Sequence, residues 1–375
     1  MPTPSENTRV DYETRRAVDL SQKYFRRTQH SEGYWWGELE SNPSMEAEYL
    51  MLCHFTGRYD KERWRKVSNF ILSKQRDNGS WGQYYGSLGD VSTSVECYFA
   101  LKLAGHPVDS EPMLKAKEFI LSKGGVPKVR VFTKIWLALF GQWDWKGTPN
   151  LPLEMIHFPS WAPFNIYEFA SWARATVVPM LIILAHKPRC PVPDSASIDE
   201  LYPGGRESTN YTLPKPSEGI GWAKALYWAD KLVGIYQKLP VRPFRGYTER
   251  KIMNWILEHQ EADGSWAGIQ PPWVYSLIAL HTMGYGPDHE AVNRGFQGFE
   301  TFALEDEDTC AVQACISPVW DTCIAQLALL ESGVAPDDPM IQSSARWLIR
   351  KQIFCLLYTS DAAAERSSVD LGGRR

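Results

Sequence analysis

A short motif recurs along this chain: a glutamine, a glycine four residues later and a tryptophan six residues later. Three stretches carry it in full, beginning at Gln29, Gln75 and Gln260, and they read "QHSEGYW", "QRDNGSW" and "QEADGSW". The first two glutamines lie 46 residues apart, and the third lies close to four further periods along. Spacing of this kind indicates a repeat architecture, in which each unit packs against its neighbours.

Each unit predicts a helix, a turn and a second helix. An apolar stretch precedes each glutamine, and the segments that follow the tryptophans stop at glycines, which are Gly57, Gly105, Gly284 and Gly333. A glycine just beyond a helical pattern is a stop signal. We expect the glutamine amide to satisfy carbonyls at the helix end while the indole covers it. Repeated helix pairs predict an all-α fold, either an open solenoid or a closed α/α barrel.

Composition limits the kinds of molecule that the chain can bind. The chain has 16 Trp, 17 Tyr and 15 Phe, which suits a heavy core or a cavity for an apolar or cationic molecule. A net charge of −4 without a basic block argues against nucleic acid. Seven cysteines without a CxxC pair indicate reduced, buried thiols. The polar N-terminus predicts no signal peptide, and the longest apolar run is too short to span a bilayer.

Three longer runs carry a family resemblance: "NIYEFASWARATVV" from Asn165, "DGSWAGIQPPW" from Asp263 and "QACISPVWDT" from Gln313. With the repeated turns, they resemble bacterial squalene-hopene cyclases of the triterpene cyclase superfamily. The resemblance runs from about Tyr12 to Phe354 and covers the N-terminal half of such an enzyme. It implies an α/α barrel (toroid) of the terpenoid cyclase type. It also implies protonation-initiated cyclisation of squalene to hopene or hopanol, without metal or cofactor.

The resemblance also implies a domain organisation. Residues 38–310 would form an inserted α/α barrel, while residues 1–37 and 311–354 would belong to a second barrel that is cut short. After Gln352 the motif requires glycine and tryptophan, but Leu356 and Tyr358 stand there. From Cys355 small and polar residues replace the aromatic helices, and "CLLYTSDAA" with "ERSSVDLGGRR" resembles a translated sequencing adapter. We therefore expect residues 355–375 to be such a tail and the chain to be truncated.

Five site residues follow from the resemblance. Trp172 and Trp320 match positions that face the substrate, which would be squalene or a similar linear polyprene. Ile269, Gln270 and Pro271 match the end of the cavity where the last cation loses a proton or meets water, and Gln270 would hold an ordered water there. Ordinary core packing is the alternative for the two tryptophans, because most buried aromatic residues have no other role.

Three polar residues, Glu46, Glu96 and Arg130, match supporting positions of the inserted barrel. The resemblance implies that they orient water or close a salt bridge. A solvated or purely structural ion pair explains the same residues.

Residues Gly221–Leu239 predict an amphipathic helix, with one apolar face listed as Leu226, Ala229, Leu232, Val233 and Tyr236. The resemblance implies that this helix attaches the enzyme to one leaflet, on the cytoplasmic side and near the substrate entrance. A helix packed on a core gives the same pattern. A homodimer is a further assembly open to the intact enzyme.

The family's proton donor lies in a D-x-D-D motif, which this sequence does not contain. Asp306 and Asp308 of "EDEDT" are interpreted as a solvated charge run. The chain is therefore predicted to be inactive and, with helix faces left uncovered, prone to aggregate.

Three other classes of protein stay open. A metal-dependent prenyltransferase needs converging ligands, but Cys53 and His54 are adjacent and point to different helix faces. A glycosidase on an α/α barrel needs a carboxylate pair across a groove. A non-catalytic isoprenoid-binding or membrane-surface protein needs the cavity without the acid.

Overall fold

The computed structural model describes residues 6–162, 165–213, 221–237, 239 and 244–352. The chain divides into two compact units, one made of residues 1–39 with 316–375 and the other of residues 40–315. The boundaries expected from the resemblance fall after residues 37 and 310. The assignment of these units to two barrels stays a prediction.

Helices dominate the described residues, which confirms the all-α prediction. The α-helices are α1 (Glu6–Thr28), α2 (Ser44–Phe55), α3 (Lys61–Ser73), α4 (Val91–Leu103), α5 (Glu111–Ser122), α6 (Val131–Leu139), α7 (Ser171–His186), α8 (Trp222–Tyr236), α9 (Arg245–Glu258), α10 (Gln270–Thr282), α11 (Glu290–Phe302), α12 (Pro318–Glu331) and α13 (Pro339–Lys351). Two antiparallel hairpins join β1 (Trp81–Gly82) to β2 (Gly89–Asp90) and β3 (Ala303–Glu305) to β4 (Cys310–Val312).

The unit of residues 40–315 has two layers of helices. Outer helices bury a single stripe, as α3 does with Trp64, Val67, Ser68 and Ile71. Inner helices are buried almost all round, and α4 buries every residue from Ser92 to Lys102. Each inner helix packs against an outer partner in the pairs α2 with α3, α4 with α5, α7 with α9 and α10 with α11. The helix–turn–helix order predicted from the repeat is present, because α3 and α4 flank the turn of Gln75 and α9 and α10 flank the turn of Gln260. The pairings above join helices of neighbouring units.

The unit of residues 1–39 and 316–375 contains α1, α12 and α13. Its core lies between α12 and α13 and the segment after α1, and consists of Trp35, Ala325, Leu329, Val334, Met340 and Ile341. The indole N–H of Trp35 donates to the carbonyl of Phe25 on α1 at 2.8 Å, so the first repeated turn closes within this unit.

The repeated turns share one hydrogen-bond pattern. At Gln75, Nε2 donates to the carbonyl oxygens of Gly79 (3.0 Å) and of Pro112 in the first turn of α5 (2.8 Å), while Trp81 Nε1 donates to Ile71 O (2.7 Å). The same bonds recur in the other two turns. Gln29 Nε2 donates to the carbonyls of Gly33 and Met340, and the Trp35 indole donates to Phe25 O. Gln260 Nε2 donates to the carbonyls of Gly264 and Ala291, and the Trp266 indole donates to Ile256 O. The expected division of roles is thus corrected. The indole satisfies the helix-end carbonyl, and the amide ties the turn to a neighbouring helix.

The turn glycine is required for two reasons. Gly79 has φ of +79°, and a Cβ there would lie 2.3 Å from the carbonyl carbon of Lys115 on α5. The stop glycines differ, because Gly57 has φ of +71° with open space around it. Gly57, Gly105, Gly284 and Gly333 all adopt positive φ just beyond α2, α4, α10 and α12, which confirms their predicted role.

Candidate functional site

Three glutamates lie in the interior of the inner helices. Glu46 and Glu48 on α2 and Glu96 on α4 are only 3%, 6% and 1% exposed. Arg130, which immediately precedes α6, donates from Nη2 to Glu96 Oε2 at 2.8 Å. The hydroxyl of Thr133 on α6 donates to the other oxygen of Glu96. Glu96 and Arg130 therefore form a hydrogen-bonded ion pair in which the glutamate is buried and the arginine is partly exposed.

Burial changes the acidity of this cluster. It raises the pKa of Glu48 well above its ordinary range, the charge of Glu96 adds to the rise, and Arg130 opposes it. Burial likewise raises the pKa of Glu96, against the opposing effects of Arg130 and the Thr133 hydroxyl. Removal from water disfavours the charged carboxylate. These carboxyl groups are therefore better proton acceptors, and weaker acids, than glutamates in water.

Aromatic rings border the carboxyl groups. Tyr275 on α10 is 2% exposed, and its ring centroid lies 5.8 Å from that of Trp136 on α6. Burial, reinforced by the charges of Glu48 and Glu96, raises the pKa of Tyr275 far above its usual range, so the phenol stays neutral. The face of a neutral ring attracts cations. Proton-accepting and cation-stabilising groups thus share one part of the interior.

A second polar group lies where α10 begins. The backbone N–H of Gln270 donates to Ala314 O at 2.8 Å, and its Nε2 donates to Met45 O at 2.7 Å. Glu46 accepts from the N–H of Val312 at 2.9 Å, and burial raises its pKa to about 8. Gln270 Oε1 and Glu46 Oε2 are buried without a partner among the described residues. Buried oxygens of this kind favour a bound polar molecule.

The remaining predicted site residues lie at helix starts. Ile269 precedes α10 and forms a β-bridge with Cys315, and Pro271 is in the first turn of α10; both are partly buried. Trp172, in the first turn of α7, is 54% exposed. Trp320, in the first turn of α12, is 68% exposed and belongs to the other unit. Neither tryptophan is therefore a buried core residue.

Sequence reasoning did not single out Glu48, Thr133 or Tyr275. The charges of Glu96 and Arg130 act on Glu48, whereas the predicted Glu46 accepts a hydrogen bond from the backbone of Val312 in β4. Residues two apart on a helix do not share a face, so "MEAEY" contains two glutamates with separate surroundings. Their two-residue spacing was visible in the sequence and could have indicated that Glu48 faces a different part of the interior from Glu46.

The acidic run at Asp306 and Asp308 forms the exposed turn between β3 and β4. Asp306 Oδ1 accepts from the backbone N–H groups of Asp308 (2.8 Å) and Thr309 (2.6 Å). These bonds lower the pKa of Asp306. The interpretation as a solvated charge run is confirmed.

Helix α8 presents its apolar residues outward. Trp228, Leu232 and Ile235, on one face, are 63%, 66% and 62% exposed. Val233 and Tyr236, which were expected on the apolar face, are partly buried. Tyr236 instead donates its hydroxyl to Glu154 Oε1 at 2.7 Å. The amphipathic helix is present, and three residues of its predicted apolar face, Leu226, Ala229 and Leu232, are exposed, whereas Val233 and Tyr236 are not.

No helix in the described ranges is both long and apolar enough to cross a bilayer. The apolar surface of α8 therefore belongs to a helix that does not meet the requirements of a transmembrane span.

The fold and the buried cluster define an α/α-barrel protein with proton-accepting groups in an aromatic interior. Comparison with known proteins agrees, because residues 18–308 match the squalene-hopene cyclase N-terminal domain and residues 316–374 match the C-terminal domain of the same enzymes. The chain belongs to the squalene-hopene cyclase family.

Individual relatives extend this result. A squalene–hopene cyclase from Alicyclobacillus acidocaldarius is 42% identical over 364 residues, which cover 96% of this chain and 56% of that protein. Dammaradiene synthase from Dryopteris crassirhizoma is 39% identical over 90% of this chain and 49% of its own length. A solved type II terpene cyclase from Scytonema is 13% identical with a TM-score of 0.20, over 89% of this chain and 76% of that one.

The chain spans about half the length of these two curated relatives. The family match reaches residue 374, whereas residues 353–375, including Phe354 and the expected adapter sequence, lie outside the described residues. Truncation and the origin of that segment stay predictions.

Proposed function

We propose that this chain forms the part of a squalene-hopene cyclase that encloses a linear polyprene and accepts the proton released when cyclisation ends. The observation that carries the proposal is the set of Glu48, Glu96 and Arg130, in which both glutamates are buried. A carboxylate whose pKa is raised by burial is a stronger base than one in water. Arg130 favours the charged form of Glu96 through a hydrogen bond at 2.8 Å, and its charge also opposes the rise in the pKa of Glu48.

The aromatic residues have a separate role. A carbocation in an apolar cavity is stabilised by ring faces, each contributing about 0.5–2 kcal/mol. Tyr275 and Trp136 border the carboxyl groups. Trp172 keeps more than half of its surface exposed, and we propose that this surface contacts the substrate. We also propose that Trp320, which is 68% exposed, contacts the substrate.

Water is the third element of the proposal. Gln270 is fixed through its Nε2 bond to Met45, which leaves Oε1 buried and unpartnered. We propose that Oε1 accepts a hydrogen bond from a water held beside Ile269 and Pro271. Transfer of a proton from the cation through this water to a buried glutamate would give an alkene. Addition of the water to the cation, with the extra proton passing to the same acceptor, would give an alcohol. The surroundings of Gln270 would therefore control the ratio of these two products.

The initiating acid is proposed to lie outside this sequence. Protonating an alkene needs a strong acid, but the buried glutamates are weaker acids than free carboxyl groups. Their raised pKa suits the end of the reaction and not its start. The 375-residue chain by itself is therefore expected not to cyclise squalene.

Docking on one leaflet of a membrane completes the proposal. Trp228, Leu232 and Ile235 of α8 expose apolar side chains, while the polar Asp230 and Lys231 are turned partly inward. A helix packed on a core has the opposite arrangement. An outward apolar face suits a helix lying in the lipid interface. Such docking would place the chain beside the pool of an apolar substrate.

A chimera tests the catalytic proposal. Residues 1–352 are joined to the part of the Alicyclobacillus relative that this chain does not match, and the product is incubated with squalene in detergent. We expect pentacyclic products from the chimera and none from the chain alone, measured by gas chromatography. A chimera carrying Asp306→Asn and Asp308→Asn, which alters only the exposed turn, serves as the matched control and should match the parent.

Two outcomes would overturn the proposal. Conversion by the chain alone would show that an acid within these residues suffices. A folded chimera that binds squalene without converting it would instead favour a non-catalytic isoprenoid-binding protein. The aromatic residues around the buried carboxyl groups, which could hold a polyprene without converting it, support this second function.

A further inference from the structure

A cavity of about 440 Å³ adjoins α8. It is lined by Lys146, Asn150, Ala185, Lys187, Lys231, Gly234, Ile235 and Gln237. The three lysines come from different elements: Lys146 from a short 3-10 helix, Lys187 from the end of α7 and Lys231 from α8. Three lysines from separate elements therefore line one cavity and give it positive charge, which favours an anion.

The charges around the cavity favour an anion. Lys146 faces Asp144 at 3.8 Å, in a pair whose lysine is 84% exposed. Lys187 donates to Asn150 Oδ1 at 3.2 Å, and Asn150 in turn donates its backbone N–H to Asp230 Oδ1 at 2.7 Å. Among the described residues, the carboxylates beside these lysines are those of Asp144 and Asp230, and Asp230 Oδ2 is buried without a hydrogen-bond partner.

The cavity is continuous with the exposed apolar face of α8. Ile235 lines the cavity and is also 62% exposed on that face. Gly234 lets the helix approach closely, because a Cβ there would lie 3.2 Å from Asn150 Nδ2. A molecule with an anionic end and apolar chains can therefore place its charge among the lysines and its chains beside Ile235.

We propose that this cavity binds the phosphate headgroup of an anionic phospholipid. The volume lies within the range of sites that hold small ligands. Lysine is a common phosphate ligand, and basic side chains near an anionic leaflet add to binding. The inference rests on the proposed docking of α8 and adds to it a lipid class. Docking through apolar contacts alone would not distinguish one headgroup from another.

Vesicle flotation tests the inference on the purified 375-residue chain. Two vesicle types are compared, phosphatidylcholine alone and phosphatidylcholine with phosphatidylglycerol as one lipid in four. We expect about tenfold tighter binding to the anionic vesicles, or more, and a smaller gain at high salt. The variant with Lys146→Gln, Lys187→Gln and Lys231→Gln should lose this gain while still binding phosphatidylcholine.

A matched control separates the cavity from general charge. Lys61→Gln, Lys115→Gln and Lys123→Gln remove the same charge from exposed positions on α3, on α5 and just after α5, and this variant should keep the tighter binding to anionic vesicles. If both triple variants lose the tighter binding to anionic vesicles, the preference comes from the overall charge of the chain, and the inference is overturned. If the wild-type chain binds both vesicle types equally, the headgroup site is overturned, but the proposed docking of α8 on a membrane is not. Binding to neither type would overturn docking and the inference together.

The wild-type comparison does not depend on how the variants fold. For the variants, circular dichroism melting identifies any that has unfolded. A variant with Trp228→Ser and Leu232→Ser is expected to lose binding to both vesicle types. That result would assign apolar docking to α8 and leave the headgroup preference to the lysines.

Discussion

Helices α8 and α10 are similar in length and both rich in apolar and aromatic residues, but their surroundings are opposite. In α10, Gln270 and every residue from Pro272 to Leu280 are buried. In α8, none of the described side chains is buried, and Trp228 is 63% exposed. Apolar content therefore does not decide where a helix lies. The enclosed helix contributes to the stability of the fold, and the open one offers a surface.

The largest expected change in the free energy of unfolding comes from a comparison of two tryptophans. Trp273 on α10 is fully buried, donates Nε1 to Gly295 O at 3.0 Å and stacks on Phe299 with centroids 4.0 Å apart. We expect Trp273→Ala to lower the free energy of unfolding by about 3–5 kcal/mol. Trp228→Ala should change it by less than about 0.5 kcal/mol. Urea denaturation measures both, and equal losses would show that α8 is packed in solution.

The next largest loss of stability is expected from substitutions at a pair of glycines. Both Gly79 and Gly57 have positive φ, but only Gly79 is pressed against a neighbouring backbone, that of Lys115. Gly79→Ala should therefore cost about 2–4 kcal/mol, from strain and steric overlap together. Gly57→Ala should cost about 1–2 kcal/mol from the left-handed conformation alone. Equal costs in thermal melts would contradict the close approach at the repeated turn.

The interior should also make stability depend on pH. Burial raises the folded-state pKa of Glu46 to about 8, and raises those of Glu48 and Glu96 as well. A carboxyl group whose pKa is raised on folding adds stability below its unfolded pKa of about 4.3, and that contribution is lost as pH rises through the folded value. We therefore expect the Tm to fall by several degrees between pH 5 and pH 8.

Glu46→Gln isolates one part of this effect. The amide cannot ionise, and its oxygen can still accept from the N–H of Val312. The fall in Tm between pH 5 and pH 8 should be smaller in Glu46→Gln and unchanged in Asp306→Asn, whose side chain lies in an exposed turn. An equal fall in all three proteins would place the titrating groups elsewhere.

The smallest effect on stability is expected on α8. Leu232→Ser removes an exposed apolar side chain that is 66% accessible, so the free energy of unfolding should change by less than about 0.5 kcal/mol. The same change should weaken vesicle binding several-fold. A large loss of stability with unchanged flotation would reverse the roles assigned to the two helices.

Much of the fold could be predicted because the turns have a fixed spacing. Glutamine, glycine and tryptophan recur together since each has a separate task, as the bonds of Gln75, the φ of Gly79 and the indole bond of Trp81 show. The division of tasks between amide and indole could not be predicted. Both groups are donors, and only the tertiary structure determines which carbonyl each one reaches.

The site was less predictable because its helices are buried all round. On α2, both Glu46 and Glu48 are enclosed, so no polar stripe distinguishes the one that faces Glu96. On α8, apolar residues occur on nearly every side, and the sequence therefore predicts only part of the exposed face: Leu226, Ala229 and Leu232 are exposed, but Val233 and Tyr236 are partly buried. Amphipathic periodicity identifies a face only where water covers the opposite one.

Squalene conversion by the chimera with Glu48→Gln tests the central claim most directly. Glutamine keeps the shape of the side chain but removes the proton-accepting carboxylate, whereas Asp308→Asn removes a carboxylate from the exposed turn. The account predicts a loss of turnover of about a hundredfold for Glu48→Gln, and none for Asp308→Asn. Full turnover and an unchanged ratio of alkene to alcohol in a folded Glu48→Gln chimera would contradict it.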